Sequence, residues 1–267
     1  IRLSYSGEVF RWDEPRSGRQ YAFHQIGLEH IGSDRLEADT EVLVIAIEAL
    51  LKLGLEDFTI TLGHVDFFKG ISERLALDEE STNSLRTLID RKGSTGVEEF
   101  LRGVADPAAR EAFGRLTSLA GKREVIEEAR RFVSGGASAG ALDDLDRVFN
   151  IAEELGLDRY IDIDLGDVAG LDYYTGLTFN IYAAGLGTAL GRGGRYDELL
   201  SNFGHGEPAV GFSLCLDWIA QLCAAGLRSA SMSPLTDPVR LSVSSNLVET
   251  FTKATRLRAE GRKVEIT

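Results

Sequence analysis

The sequence predicts an α+β fold: an antiparallel sheet flanked by helices, with a block of helices inserted between two sets of strands. Three observations carry this. Segments that alternate apolar and polar residues, as half-buried strands do, occur near both ends of residues 1–226. Between them, from about 65 to 154, the chain turns charged and helical in period, broken by Gly93, Gly103, Pro107 and Gly121. From 227 to 267 the pattern strand, helix, strand reads as a truncated α/β remnant, so the chain divides into 1–226 and 227–267.

Taken in order, Arg2 to Arg11 alternates as a strand with Leu3, Tyr5, Val9 and Phe10 at its apolar points. Asp13-Glu14-Pro15-Arg16-Ser17-Gly18 reads as a turn and Tyr21 to Ile31 as the returning strand, a hairpin with Arg11 and Arg19 at its two mouths. Phe23, Gln25 and Glu29 share one face of that strand. An amide and a carboxylate there either meet a polar ligand or lie on a solvated face, because burying them unpaired is costly. Asp39 to Leu53 is an amphipathic helix closed by Gly54, and Phe58 to Leu62 is a short strand. His64, with no second ligand at metal spacing, reads as a turn histidine.

Past the helical block, Tyr160 to Asp164 and Leu177 to Tyr182 return as strands, and the stretch Asp167 to Gly176 between them reads as a bend inside the sheet. On a strand, the adjacent Tyr173 and Tyr174 would point to opposite faces, one toward the core and one toward a pocket. A bulged core strand accounts for the same pattern. Thr188 to Leu190 reads as a further strand, and Gly191-Arg192-Gly193-Gly194-Arg195 as a glycine-rich turn without a nucleotide-loop pattern. Ala209 to Ser213 is a strand running into an apolar helix, Leu214 to Ala225, with Cys215 and Cys223 as buried free thiols.

Composition narrows the function classes. With 29 basic against 42 acidic residues and a net charge of −13, the chain is poorly suited to lie along a nucleic-acid backbone. No apolar run is long enough to span a membrane, no signal-peptide pattern opens the chain, and a cytoplasmic location is expected. Ile1 leads directly into strand-like sequence, so a preceding segment is expected in the natural protein.

Five segments together resemble the histidyl-tRNA synthetase family and its catalytically silent relatives, the regulatory subunits of ATP phosphoribosyltransferase. They are Phe10-Arg11-x-x-x-Pro15-x-x-Gly18-Arg19, Phe23-His24-Gln25-x-Gly27-x-Glu29-x-x-Gly32, Gly170-Leu171-Asp172-Tyr173-Tyr174-Thr175, Gly193-Gly194-Arg195-Tyr196-Asp197 and Gly211-Phe212. The resemblance implies a class II aminoacyl-tRNA synthetase-like antiparallel sheet. It also implies a histidine pocket of Gln25 for the ammonium group and Glu29 and Tyr174 for the imidazole, with Tyr173 and Tyr196 beside it.

Departures from the synthetase pattern point to the regulatory relatives. Arg11 and Arg19 remain as residual phosphate-site arginines, but Ala169 and Trp218 stand where synthetases carry guanidinium groups. Losing one well-placed donor to developing charge costs about 10²–10³ in rate, so the resemblance implies no catalysis, no cofactor and no metal. It names as partner the catalytic subunit of a short-form ATP phosphoribosyltransferase, with L-histidine as effector. It further implies a self-dimer within a hetero-oligomer. A divergent histidyl-tRNA synthetase is the alternative.

Overall fold

The computed structural model describes residues 1–11, 22–73, 77–90, 93–104, 107–133, 135–168, 173–226, 239–243 and 246–266. Strands β1 (Arg2–Phe10) and β2 (Ala22–Ile31) pair antiparallel, with Tyr5 opposite Gly27, Gly7 opposite Gln25 and Leu3 opposite Glu29. Helix α1 (Leu36–Lys52) and strand β3 (Phe58–His64) follow. The helical block comprises α2 (Val65–Glu73), α3 (Glu79–Asp90), α4 (Ser94–Leu101), α5 (Pro107–Leu116), the two-residue β4 (Ala120–Gly121), α6 (Glu124–Arg130) and α7 (Gly136–Glu154). Then come β5 (Ile161–Asp164), β6 (Leu177–Ala183), β7 (Gly191–Arg195), β8 (Ala209–Cys215) and α8 (Leu216–Gly226). The chain closes with β9 (Val239–Leu241), α9 (Leu247–Ala259) and β10 (Val264–Ile266).

The main sheet has the order β1-β2-β8-β7-β6-β3-β5-β4, antiparallel except for the β3/β5 pair. Its two faces differ. Leu28, Phe212, Phe179, Ile181, Ile60 and Leu62 point to one side, onto Val42, Leu43, Ala46, Ile47 and Leu50 of α1 and Leu142, Leu145 and Phe149 of α7. Each fully buried leucine or isoleucine contributes about 1.5–3 kcal/mol, and this layer fixes the sheet's register. Residues of opposite parity, Gln25, Glu29, Arg192, Asn180 and Ser213 among them, line the other face. β9 and β10 form a separate parallel pair, whose small core of Leu241, Phe251, Ala254, Leu257 and Ile266 includes Ile151 from α7. A network of Arg2, Glu41, Glu48 and Arg258 joins this unit to α1, with Arg2 to Glu41 at 2.9 Å and Arg258 to Glu48 at 3.4 Å.

Three expectations are corrected. The glycine-rich run 191–195 is a central strand, β7, and residues 188–190 lie in the turn before it. Glycine is required there by close packing, not by turning. A Cβ on Gly193 would lie 2.4 Å from the Phe179 ring, and one on Gly191 2.4 Å from the carbonyl oxygen of Ser213. Strands β5 and β6 are not neighbours, because β3 lies between the two. Tyr173 and Tyr174 therefore sit in a loop and their rings lie together, 4.5 Å apart at 61°, instead of on opposite faces of a strand. Cys215 ends β8 instead of lying in a helix, and both cysteines are only half-buried free thiols.

Candidate functional site

The open face of the sheet carries a row of polar side chains at its β1/β2 end. Gln25 and Glu29 share that face, and the Tyr5 ring lies between them because Tyr5 is opposite Gly27. A Cβ on Gly27 would come within 2.4 Å of the Tyr5 hydroxyl, so only glycine leaves room for the ring. Gln25 Nε2 donates to Tyr5 Oη at 2.9 Å. Glu29 accepts a hydrogen bond from the Tyr196 hydroxyl, and the Tyr5 hydroxyl faces the same carboxylate. Opposite it, a Cβ on Gly211 would lie 1.7 Å from Glu29 Oε2, so this second glycine makes space for the carboxylate.

Rings close over this acid. Tyr173 stacks on Tyr196 at 5.2 Å and 18°, and Tyr174 meets the edge of Tyr173. Tyr174 itself lies over Gly194, where a Cβ would approach its ring to 2.8 Å. Burial, opposed by the two phenols, pushes the Glu29 carboxyl above its ordinary value. Burial also raises Tyr173 and Tyr196, the latter further because its proton is bound to Glu29, and takes Tyr174 up to about 12. The phenols are thus neutral donors at physiological pH.

What positions Tyr196 is its neighbour Arg195, on the core face of β7. Arg195 forms a bidentate pair with Asp39 of α1, Nε to Oδ1 at 3.0 Å and Nη2 to Oδ2 at 2.7 Å, and donates to the carbonyls of Ser33 at 2.9 Å and Arg35 at 3.3 Å. On the other side of Tyr196, the Asp197 N–H donates to Thr175 Oγ1 at 2.9 Å and Asp197 Oδ1 accepts from Ala209 N–H at 3.0 Å. One tripeptide therefore clamps α1, the tyrosine loop and β8 while aiming a phenol at Glu29.

Beside Gln25 opens a cavity of ≈ 220 Å³, lined by Arg11, Phe23, Arg192, Asp217, Trp218 and Gln221 among others. The Arg11 guanidinium lies 5.5 Å from the centre of the Phe23 ring. Trp218, in the first turn of α8, forms part of the cavity wall. Tyr173 and Tyr174 line a different hollow together with Lys69 and Glu198.

The structure thus brings Gln25, Glu29, Tyr173 and Tyr196 into one connected cluster. Tyr174 is reached from Glu29 through Tyr196 and Tyr173. Arg11 and Trp218 share the neighbouring cavity, whereas Arg19 and Ala169 lie outside the described residues. Sequence reasoning missed Tyr5, read as a strand's apolar point, and missed Arg195 and Asp39. The glycine between Gln25 and Glu29 was the available signal for Tyr5: a gap in one strand invites a ring from its neighbour. His64 ends β3, buried, with Nδ1 accepting from Asp66 N–H at 3.2 Å and burial lowering its pKa to about 4. Among the described residues, no group of three or more histidine, cysteine or acidic side chains could hold a metal ion, and no helix is long and apolar enough to cross a membrane.

Comparison with known proteins places this arrangement. The sequence model of the family described as "Histidyl-tRNA synthetase" matches residues 1–219. An ATP phosphoribosyltransferase regulatory subunit from Thermoanaerobacter sp. (strain X514) is 36% identical over 269 residues, covering 100% of this chain and 70% of the relative. The crystal structure of an ATP phosphoribosyltransferase regulatory subunit/histidyl-tRNA synthetase from Bacillus halodurans matches with a TM-score of 0.76 at 30% identity, over 100% of this chain and 68% of that one. An ATP phosphoribosyl transferase (HisG:HisZ) complex from Thermotoga maritima shares the fold, with a TM-score of 0.64 at 21% identity over 80% of this chain and 73% of that chain.

Proposed function

Since the chain belongs to the histidyl-tRNA synthetase-like family of ATP phosphoribosyltransferase regulatory subunits, we propose that it is a non-catalytic subunit that senses L-histidine for a catalytic phosphoribosyltransferase partner in the cytoplasm. The observation that carries this reading is the contrast within the site. The Glu29 end keeps a carboxylate, an amide and several phenols; the adjoining cavity has Trp218 on its wall. A synthetase must hold the phosphates of ATP with several guanidinium groups.

Histidine suits the Glu29 end chemically. A neutral imidazole donates from one nitrogen and accepts at the other, and a carboxylate has about four acceptor sites. Tyr196 engages one and Tyr5 faces another, so Glu29 keeps capacity for an imidazole N–H while a phenol proton serves the second nitrogen. Gln25 takes the ammonium group. Residues 1–226 form the synthetase-like unit on this reading, and 227–267 a separate α/β segment.

Regulation then requires that histidine bind the activating and inhibited states of the assembly with different affinity. We assign to this subunit the activation of the short-form catalytic subunit within a hetero-oligomer containing a self-dimer, and to histidine the reversal of that activation. Such coupling is typically about 1–3 kcal/mol, an easily measured change in turnover. The test mixes the full-length protein with the catalytic subunit from the same organism, and follows co-elution and rate with and without histidine. Co-elution with a rate that rises on mixing and falls with histidine is expected; separate elution with an unchanged rate contradicts the assignment.

The family match and the surviving Arg11 favour one second reading, a divergent histidyl-tRNA synthetase. Histidine-dependent pyrophosphate exchange above a no-enzyme control would establish it. None is expected.

A further inference from the structure

Among the described residues, Tyr5 is the phenol that touches both Gln25 and Glu29. Its oxygen accepts from Gln25 Nε2 at 2.9 Å, and its hydroxyl faces the Glu29 carboxylate. A phenol has one proton to give and an ionised carboxylate can only accept. The two contacts therefore run in one direction, from the Gln25 amide N–H to the Tyr5 oxygen and from the Tyr5 O–H to Glu29. An amide that commits its NH₂ side to Tyr5 turns its carbonyl oxygen to the opposite side. For Gln25 that leaves Oε1, an acceptor, for whatever enters the cavity it lines.

We propose that Tyr5 is a specificity-determining positioning residue: by fixing the Gln25 amide through the directed chain Gln25 to Tyr5 to Glu29, it makes the pocket select ligands that carry a hydrogen-bond donor, such as an ammonium group, at the Gln25 end. This rests on the amino-acid-binding reading of the site. The backbone is built for it. Tyr5 is opposite Gly27 in the β1/β2 register, and a side chain at Gly27 would collide with the ring at its hydroxyl end. The ring is partly exposed, at 40%, on an edge strand, so it contributes little to the core.

The test is calorimetry on the full-length protein with two probes, L-histidine and imidazole propionate, which lacks only the ammonium group. In the wild type, L-histidine should bind more tightly. In Tyr5→Phe the ratio of the two affinities should fall roughly tenfold, the scale of one hydrogen bond to a charged group, chiefly by loss of L-histidine binding. Adding Tyr5→Phe to Gln25→Ala should change the ratio no further, since both act through one amide. An unchanged ratio in Tyr5→Phe overturns the proposal. Should the wild type bind neither probe, the amino-acid-binding reading fails instead, and the ligand-free protein decides on Tyr5. Its Gln25 side-chain amide should then show one shifted, slowly exchanging proton by NMR that Tyr5→Phe abolishes; identical spectra would refute the directed chain.

Discussion

Glu29 and Asp39 are carboxylates held against opposite faces of one sheet, and the protein matches them differently. Asp39, 2% exposed, receives a bidentate guanidinium from Arg195, so its charge is neutralised where it stands. Glu29, half-buried, is met by the hydroxyls of Tyr196 and Tyr5 and makes no ion pair with a described basic side chain. Hydroxyls satisfy lone pairs but leave the net charge. A buried acid with its own counter-ion serves the scaffold, whereas one met only by phenols keeps its charge available to a donor from outside. Arg195 and Tyr196 are adjacent in sequence, so the end of β7 and the residue after it supply the two solutions, one to each face.

The largest effect expected from this contrast is on stability. Arg195→Met leaves Asp39 buried without its cation and should cost about 3–5 kcal/mol, while Glu29→Gln, which keeps the shape, should change stability by less than about 1 kcal/mol. Urea denaturation of both variants checks this, and equal costs would erase the distinction between the two acids.

A smaller effect sharpens the site side. Gly211→Ala places a methyl 1.7 Å from Glu29 Oε2 and 2.5 Å from the Leu28 carbonyl oxygen, so both the carboxylate and the β2 backbone must shift. We expect about 1–3 kcal/mol of destabilisation and loss of histidine binding. A variant that binds as well as the wild type would show that Glu29 is not where the ligand lies.

A further effect concerns a buried group on the structural side. His64 titrates near 6.5 when unfolded and near 4 in the folded protein, lowered first by burial and also by Arg195, against the pull of Asp144. Between those values the unfolded chain holds more protons. The contribution of His64 is therefore complete above about pH 6.5 and is lost as pH falls toward 4, by up to ~1.4 kcal/mol per pH unit. His64→Asn, which keeps an acceptor for the Asp66 N–H, should show a shallower loss of stability across that window. Parallel curves would contradict the assignment.

Much of the fold was legible. The β1/β2 hairpin and α1 announce themselves by period, and Gln25 and Glu29 share a face because side chains on a strand alternate. The errors have a common origin in contacts made across the sheet. Three glycines in five residues look like a turn, until Phe179 on one face and Tyr174 on the other are seen to occupy the missing side-chain space of β7. The tyrosine loop looked like a strand bend because nothing local says that β3 intervenes between β5 and β6. Arg195 and Asp39 stand 156 residues apart, beyond the reach of any spacing argument. Tyr5 was visible only as an alternating apolar residue, since its role depends on which residue of the other strand is opposite it.

The most direct measurement compares histidine binding by the full-length wild type with Glu29→Gln, each titrated with histidine, glutamine and lysine. If Glu29 is the acid left open for a ligand, the wild type prefers histidine and the Gln variant loses that preference while remaining folded. Undiminished preference for histidine in the variant would contradict the account.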